Sequence, residues 1–144
     1  LPKNFKAIFQ LGNIYLMERN YEKAIEEFDK AIKIKKDFWQ AINNQGLAYI
    51  ELNKNNLSII SFKKAIELEE NAEPLLALAS CLNNKDINKA IVLSKKALNK
   101  DPNYVDFNYR KEQLWGEKLQ NSTEKLFENP QIKKEILVAK TKIK

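Results

Sequence analysis

Histidine is absent from the 144 residues of this chain, and cysteine, glycine and proline are scarce, with 1, 3 and 4 copies. Without histidine the chain lacks the commonest general base and the commonest metal ligand, and it cannot form a Ser-His or Cys-His nucleophile pair. The glycines, Gly12, Gly46 and Gly116, are too scattered for a glycine-rich phosphate loop. We therefore predict no catalytic residue, no metal site and no cofactor, and we do not expect an enzyme.

The single cysteine, Cys81, excludes an intramolecular disulfide and fits a reducing compartment, so we predict a cytoplasmic location. Cys81 lies in an apolar segment without a CxxC partner, which favours a small core residue over a reactive thiol. The chain has no run of about 18 apolar residues, and nothing in it resembles a signal peptide. Because it starts with Leu1 and not Met, we expect residues upstream, and a targeting signal there stays open.

The formal charge of +6 is concentrated toward the two ends, in residues 1–36 and 129–144. Elsewhere acids and bases mostly alternate, and pairs four residues apart such as Glu26 and Lys30 are typical of a solvated helix face. A basic stripe interleaved with aromatic residues, typical of nucleic-acid binding, is missing from the sequence. We therefore predict a protein partner and no nucleic acid.

Two runs of apolar residues, 8–16 and 21–32, keep the spacing of amphipathic helices. Between them lies the short polar segment Glu18-Arg19-Asn20, and Asn20 is suited to be the N-cap of the second helix. Two helices joined by so short a turn must lie antiparallel. One such hairpin cannot bury both of its faces, so neighbouring hairpins must complete the core.

The pattern recurs along the chain. A shift of 34 residues carries Gly12, Tyr15, Phe28 and Ala31 onto Gly46, Tyr49, Phe62 and Ala65, and a further 32 residues lead to Ala97, followed by Pro102. A 34-residue period with this order of small and aromatic residues resembles the tetratricopeptide repeat. The resemblance implies an all-α, right-handed superhelix of three antiparallel helix hairpins, with a C-terminal capping helix and a short terminal helix.

The predicted domains follow from this register. Repeats are expected at about 3–36, 37–70 and 71–102, with helices at about 4–18, 21–35, 38–52, 56–69, 72–83 and 87–99. Pro2 resembles the end of an earlier repeat. A capping helix is predicted over 103–128, because a stack needs a terminal element that covers its last apolar face. A basic amphipathic tail helix is predicted over 129–144, packed against this chain or against a second copy.

In the tetratricopeptide family the first helix of each repeat lines a concave groove that binds a peptide or protein segment. Carried over residue by residue, the resemblance implies a groove lined by Lys6, Phe9, Asn13, Met17, Gln40, Asn43, Asn44, Leu47, Tyr109, Arg110 and Gln113. Asparagine suits such a groove because its amide both donates and accepts hydrogen bonds. The alternative, that these asparagines are ordinary polar residues, stays open.

Asn13 and Asn44 also fall on the two asparagine places of the family members that clamp a C-terminal carboxylate. The basic places of that clamp depart from the pattern, since Phe9 stands where its first lysine belongs.

Two functions follow as hypotheses. The first is a non-enzymatic module that binds a protein segment in the groove. The second is an assembly scaffold that stacks or self-associates through its repeat ends, and an exposed apolar face at Phe5, Ile8 and Tyr21 would favour it. Residues 111–120 resemble the terminal helix of tetratricopeptide proteins of cyanobacteria and plastids, which implies a role in photosynthetic complex assembly for such a scaffold.

Overall fold

The computed structural model describes residues 4–143, which contain nine α-helices, one 3-10 helix and no strand. The prediction about Pro2 lies outside the described residues. The chain divides into two compact units, Leu1–Glu69 and Glu70–Lys144. The all-α fold built from antiparallel helix hairpins is thereby confirmed. No helix among the described residues is long and apolar enough to cross a membrane.

The first unit consists of two helix hairpins. Its four helices are α1 (Phe5–Met17), α2 (Tyr21–Ile34), α3 (Trp39–Glu51) and α4 (Asn55–Leu68). Helix α1 packs against α2, α3 packs against α4, and α2 packs against α3. Each helix begins and ends within one residue of the predicted position, because the apolar period and the polar turns both mark these bounds.

The two tight turns of this unit repeat the same geometry 34 residues apart. Arg19 and Asn53 both adopt a left-handed conformation with φ of 61°. In each turn the following amide donates to a carbonyl of the preceding helix, from Asn20 to Tyr15 and from Lys54 to Tyr49. Asn20 occupies the N-cap position as predicted, but its side chain makes no capping hydrogen bond.

A glycine facing a phenylalanine ring sets the close approach of the helices within each hairpin. A Cβ atom added to Gly12 would lie 2.5 Å from Cε1 of Phe28, and one added to Gly46 would lie 2.7 Å from Cε1 of Phe62. Both rings are completely buried. The aromatic ring therefore occupies the space that any larger residue at the glycine position would need.

The second unit starts with a third hairpin and continues with shorter elements. Its helices are α5 (Ala72–Leu82), α6 (Ile87–Lys100), a 3-10 helix (Pro102–Val105), α7 (Phe107–Glu112), α8 (Glu117–Leu126) and α9 (Pro130–Lys140). Helix α5 packs against α6, α8 lies on α5, and α9 lies on α6 and on the 3-10 helix.

The third hairpin replaces the glycine–phenylalanine pair by two serines, Ser80 and Ser94. Both serines are buried and donate to backbone carbonyls four residues earlier, at 2.9 and 2.8 Å. The hydroxyl of Ser80 also lies 2.8 Å from the hydroxyl of Thr123, which belongs to α8. Polar groups at this place in the core thus find partners, as buried hydroxyls must.

The single capping helix predicted over 103–128 is wrong in detail, because this segment folds as the 3-10 helix, α7 and α8. The chain turns at Leu114, whose φ is 72°, and Gly116 then serves as the N-cap of α8. Helical spacing of Phe107, Leu114 and Leu119 gave no sign of this turn. The bulky Leu114 in a left-handed conformation departs from the usual preference for glycine or asparagine.

Helix α9 starts at the predicted cap, where the Asn129 side chain accepts from the amides of Gln131 and Ile132. Ile132 and Ala139 are buried against the rest of the unit. Leu137, another apolar residue of this helix, is 67% exposed. It follows Ile132 by five residues, which turns its side chain by about 140° around the helix.

Candidate protein-binding surface

Helices α1 and α3 present most of the predicted groove residues on the first unit. Lys6, Met17 and Gln40 are exposed, whereas Phe9 and Asn13 are half-buried and Asn44 is almost covered. We call the set Lys6, Phe9, Asn13, Met17, Gln40 and Asn44 the α1–α3 surface. Phe9, Asn13 and Met17 are four residues apart, so they follow one another along one side of α1.

Aromatic rings form the base of this surface near Phe9. The centroid of the Phe9 ring lies 4.8 Å from that of Phe38 and 5.9 Å from that of Phe28, and Phe5 meets Phe38 edge-on at 5.3 Å. Such tilted and edge-on contacts are favourable beyond the burial of the rings. Phe9 thus packs against neighbouring rings while part of its surface stays exposed.

Three asparagines form a hydrogen-bonded chain that joins α1 to α3. Nδ2 of Asn43 donates to Oδ1 of Asn44 at 3.0 Å, and Nδ2 of Asn44 donates to Oδ1 of Asn13 at 2.8 Å. Both hydrogen bonds therefore run in one direction, and Asn13 accepts the last of them. The amide nitrogen of Asn13 makes no hydrogen bond to another described residue of this unit, and the side chain is only half-buried. Asn13 can thus donate to a ligand.

At the other end of the chain of amides, Oδ1 of Asn43 is buried and has no donor among the described residues. An unpaired buried acceptor costs roughly 1–3 kcal/mol. Asn43 is completely buried, and Leu47 is almost completely buried. Both predicted groove residues therefore belong to the interior and not to a surface that a partner can contact.

Gln45 is a polar residue of α3 that the sequence interpretation passed over. Its Nε2 donates to Oδ1 of Asp29 at 2.6 Å and to the carbonyl of Ile25 at 3.3 Å, both on α2. These bonds link α3 to α2. Gln45 thereby orients the helix that carries Gln40 and Asn44.

Arg110, predicted to line the groove, is instead the centre of the second unit, and its side chain is completely buried. Nε donates to Oε1 of Gln120 at 2.7 Å, and the two terminal nitrogens donate to the Tyr104 carbonyl at 2.8 Å and to Glu124 at 2.6 Å. The ring of Phe127 lies 5.2 Å from the guanidinium carbon. Burial lowers the pKa of Arg110, and Glu124 opposes this.

The contacts of Arg110 identify it as a structural residue. The sequence around it does not distinguish it from an exposed arginine. Its partners come from the 3-10 helix and α8, elements whose mutual packing is decided in three dimensions.

Tyr109 and Gln113, the remaining predicted groove residues, lie half-buried on and after α7. The hydroxyl of Tyr109 donates to Oδ2 of Asp101 at 2.9 Å, and burial together with this carboxylate raises the pKa of Tyr109 to about 12. Trp115 is buried, and its indole nitrogen donates to Glu73 at 3.0 Å. In this unit the predicted groove residues are thus next to, and partly within, the contacts that hold α7 in place.

Cys81 is half-buried in α5 and unpaired. Burial raises the pKa of its thiol to about 12. Because the thiolate is the reactive form, this cysteine is a poor nucleophile near neutral pH.

Comparison with known proteins identifies tetratricopeptide repeats in this chain. Two models of the tetratricopeptide repeat match residues 5–38 and residues 40–71. These matches fall mainly on the two hairpins of the first unit.

A curated relative, the UDP-N-acetylglucosamine–peptide N-acetylglucosaminyltransferase of Giardia intestinalis, is 28% identical over 68 residues. The match covers 47% of this chain but only 5% of the relative. Among solved structures, the crystal structure of MamA is similar with a TM-score of 0.69 and 20% identity, covering 98% of this chain and 81% of that chain. This likeness concerns the fold.

Proposed function

Since the chain belongs to the tetratricopeptide repeat family and is a protein–protein interaction module, we propose that it binds a partner segment on the α1–α3 surface. The segment would lie along α1, with a main-chain carbonyl at Asn13 and an apolar side chain against Phe9. Lys6 and Met17 would contact the segment on either side.

The observation that carries this proposal is the direction of the asparagine chain. Asn44 donates to the side-chain oxygen of Asn13. This oxygen therefore already accepts a hydrogen bond, while the two amide protons of Asn13 are left for a ligand. A hydrogen-bonded chain of this kind also polarises its last donor. A peptide offers a carbonyl at every residue, and the packed ring of Phe9 four residues away provides the apolar contact.

The test is Asn13→Asp, which keeps an oxygen to accept from Asn44 but removes the amide donor. Peptides selected from a random phage-displayed library on the wild-type protein serve as ligands, with affinity measured by fluorescence anisotropy. We expect binding to weaken by about tenfold or more, because a donor is lost and a carboxylate would face the peptide carbonyl. Asn55→Asp, an exposed change on α4, is the matched control and should alter affinity less than about twofold.

Circular dichroism must show unchanged helicity in both variants. Peptides that bind the Asn13→Asp protein as tightly as the wild type would contradict the proposal and move the binding site away from α1.

A second candidate function, assembly through the repeat end, is favoured by two exposed apolar residues of α1, Leu11 and Ile14. Their counterparts 34 residues later, Gln45 and Ala48, are buried. The residues expected to be exposed in this case, Phe5, Ile8 and Tyr21, are half-buried. If the candidate is correct, light scattering should show an oligomer that Leu11→Glu dissociates; a monomeric wild type at high concentration would refute it.

A further inference from the structure

Two helices of the second unit that contact each other, α6 and α9, are both strongly basic. Helix α6 contains four lysines and no acid, and residues 130–143 contain four lysines and one acid. The charge of these two segments alone exceeds the formal +6 of the whole chain. The lysines are Lys89, Lys95, Lys96 and Lys100 on α6, and Lys133, Lys134, Lys140 and Lys142 on or just after α9.

All eight lysines are exposed, and they are nearly unneutralised within their unit. Of these eight lysines, Lys95 alone has a carboxylate of the described residues within 4 Å, Oε1 of Glu135 at 3.9 Å. This pair joins α6 to α9. Three acids border the two helices along the chain: Asp86 caps α6, Glu128 precedes α9, and Asp101 follows Lys100. The Asp101 carboxylate accepts from the amide of Asn103 and from the hydroxyl of Tyr109.

Four large apolar side chains are exposed on the same two helices, Ile87 at 36%, Val92 at 55%, Leu137 at 67% and Val138 at 50%. On α6, Val92 precedes Lys95 and Lys96 by three and four residues, so they share one side of the helix. On α9, Lys134 precedes Leu137 and Val138 in the same way. We call Val92, Leu137, Val138 and the eight lysines the α6–α9 surface.

We propose that the α6–α9 surface binds an acidic amphipathic helix of a protein partner. Its carboxylates would face the lysines, and its apolar residues would cover Val92, Leu137 and Val138. Two adjacent helices present a shallow seam between them, and a third helix can lie in such a seam with its apolar side inward. This surface belongs to the second unit, and the inference does not depend on binding at the α1–α3 surface.

The chemistry of the surface favours an acidic protein over other anionic partners. A helix that lies in a membrane interface needs a free apolar face, usually with large aromatic or aliphatic residues, but the apolar face of α9 is already buried through Ile132 and Ala139. Nucleic-acid surfaces typically combine basic residues with arginine and stacking aromatics, and neither occurs on α6 or α9. Lysines with a few aliphatic neighbours suit carboxylates spaced along a helix.

The experiment uses a fluorescein-labelled peptide of about 18 residues with leucines at helical spacing and glutamates on both sides. A scrambled peptide of the same composition, vesicles of phosphatidylcholine with phosphatidylserine, and a short DNA duplex are the competing probes. Anisotropy measures binding to the peptides and DNA, and sedimentation measures binding to vesicles. We expect saturable binding of the ordered peptide that weakens as salt rises, because exposed charges are screened.

Matched variants distinguish binding at this surface from attraction to the overall positive charge of the protein. Lys133→Glu combined with Lys134→Glu should weaken peptide binding by about tenfold or more. Lys63→Glu combined with Lys64→Glu, an adjacent exposed pair on α4, should change it less than about twofold. Leu137→Ser should weaken binding by about fivefold. Ile60, on α4, is 62% exposed, and Ile60→Ser should leave the binding affinity unchanged.

Circular dichroism checks the fold of each variant. If the double change on α9 alters the fold, Lys96→Glu on α6 replaces it as the test of the lysines. Equal affinity for the ordered and scrambled peptides, or no effect of Leu137→Ser, would reduce the interaction to charge attraction and overturn the proposal. Binding to the vesicles or to DNA in preference to the ordered peptide would also overturn it.

Discussion

Replacing Gly46 by alanine tests whether the glycine–phenylalanine contact sets the distance between α3 and α4. The new Cβ would lie 2.7 Å from Cε1 of Phe62 and 3.0 Å from Cδ1 and Cζ. Ordinary contacts start at 3.4 Å, so the ring or the helix must move by roughly 0.7 Å in a core packed as densely as a crystal. Phe62 is completely buried.

Two effects of opposite sign compete in this variant. Alanine is the better helix former by about 1 kcal/mol, whereas overpacking a filled core typically costs about 1–3 kcal/mol. We expect a net loss of about 1 kcal/mol in the free energy of unfolding. Gly12→Ala, with its Cβ 2.5 Å from Phe28, should give the same sign.

Urea denaturation followed by circular dichroism measures the loss, and a double-mutant cycle with Phe62→Leu identifies its cause. The smaller leucine should leave room for the new methyl group, so the double variant should be more stable than the sum of the single changes by about 1 kcal/mol. If Gly46→Ala stabilises the protein by its full helix propensity, or if the two changes are additive, the contact does not limit the helix distance.

Two further predictions concern the second unit. Arg110→Met should lower the free energy of unfolding by about 3 kcal/mol, because it leaves the buried acceptors of Gln120 and Tyr104 unpaired; a urea denaturation midpoint close to that of the wild type would contradict this. The Cys81 thiol, with a pKa of about 12, should react with iodoacetamide at pH 8 about a thousandfold more slowly than in the urea-unfolded chain, and equal rates would contradict its burial. Since folding raises this pKa, the stabilisation linked to it is complete below the unfolded pKa and is lost as the pH rises through about 12.

The helices of the first unit could be predicted from the sequence because their signals are local. The apolar period and the polar turns are signals within a single hairpin. The pair Gly12 and Phe28 also recurs as Gly46 and Phe62, and in the structure each glycine lies against its phenylalanine ring. The third hairpin follows the same period with Ser80 and Ser94 at the corresponding places, so its helices were predictable too. The partner of Ser80 was not, because Thr123 lies 43 residues away in the sequence.

For the candidate surfaces as well, some features could be predicted from the sequence and others could not. Asn13, Phe9 and Met17 share one side of a helix, which the sequence alone establishes through the helical period. Whether a polar residue faces solvent or the interior depends on what packs over it, and this depends on elements far apart in the chain. Arg110 is buried because the 3-10 helix and α8 surround it, although its sequence neighbours are those of an exposed arginine.

Sequence by itself determined the class of this protein, since a repeated hairpin pattern requires stacked antiparallel helices and the missing histidine removes most catalytic and metal chemistry. Only the tertiary structure decided which basic segments lie next to each other. Along the sequence, α6 and α9 are separated by about thirty residues, and the sequence predicted a basic helix at 129–144 without relating it to the lysines of α6. Packing places the helices side by side, because Ile132 and Ala139 must bury their apolar surface, and the exposed lysines then belong to two adjacent helices.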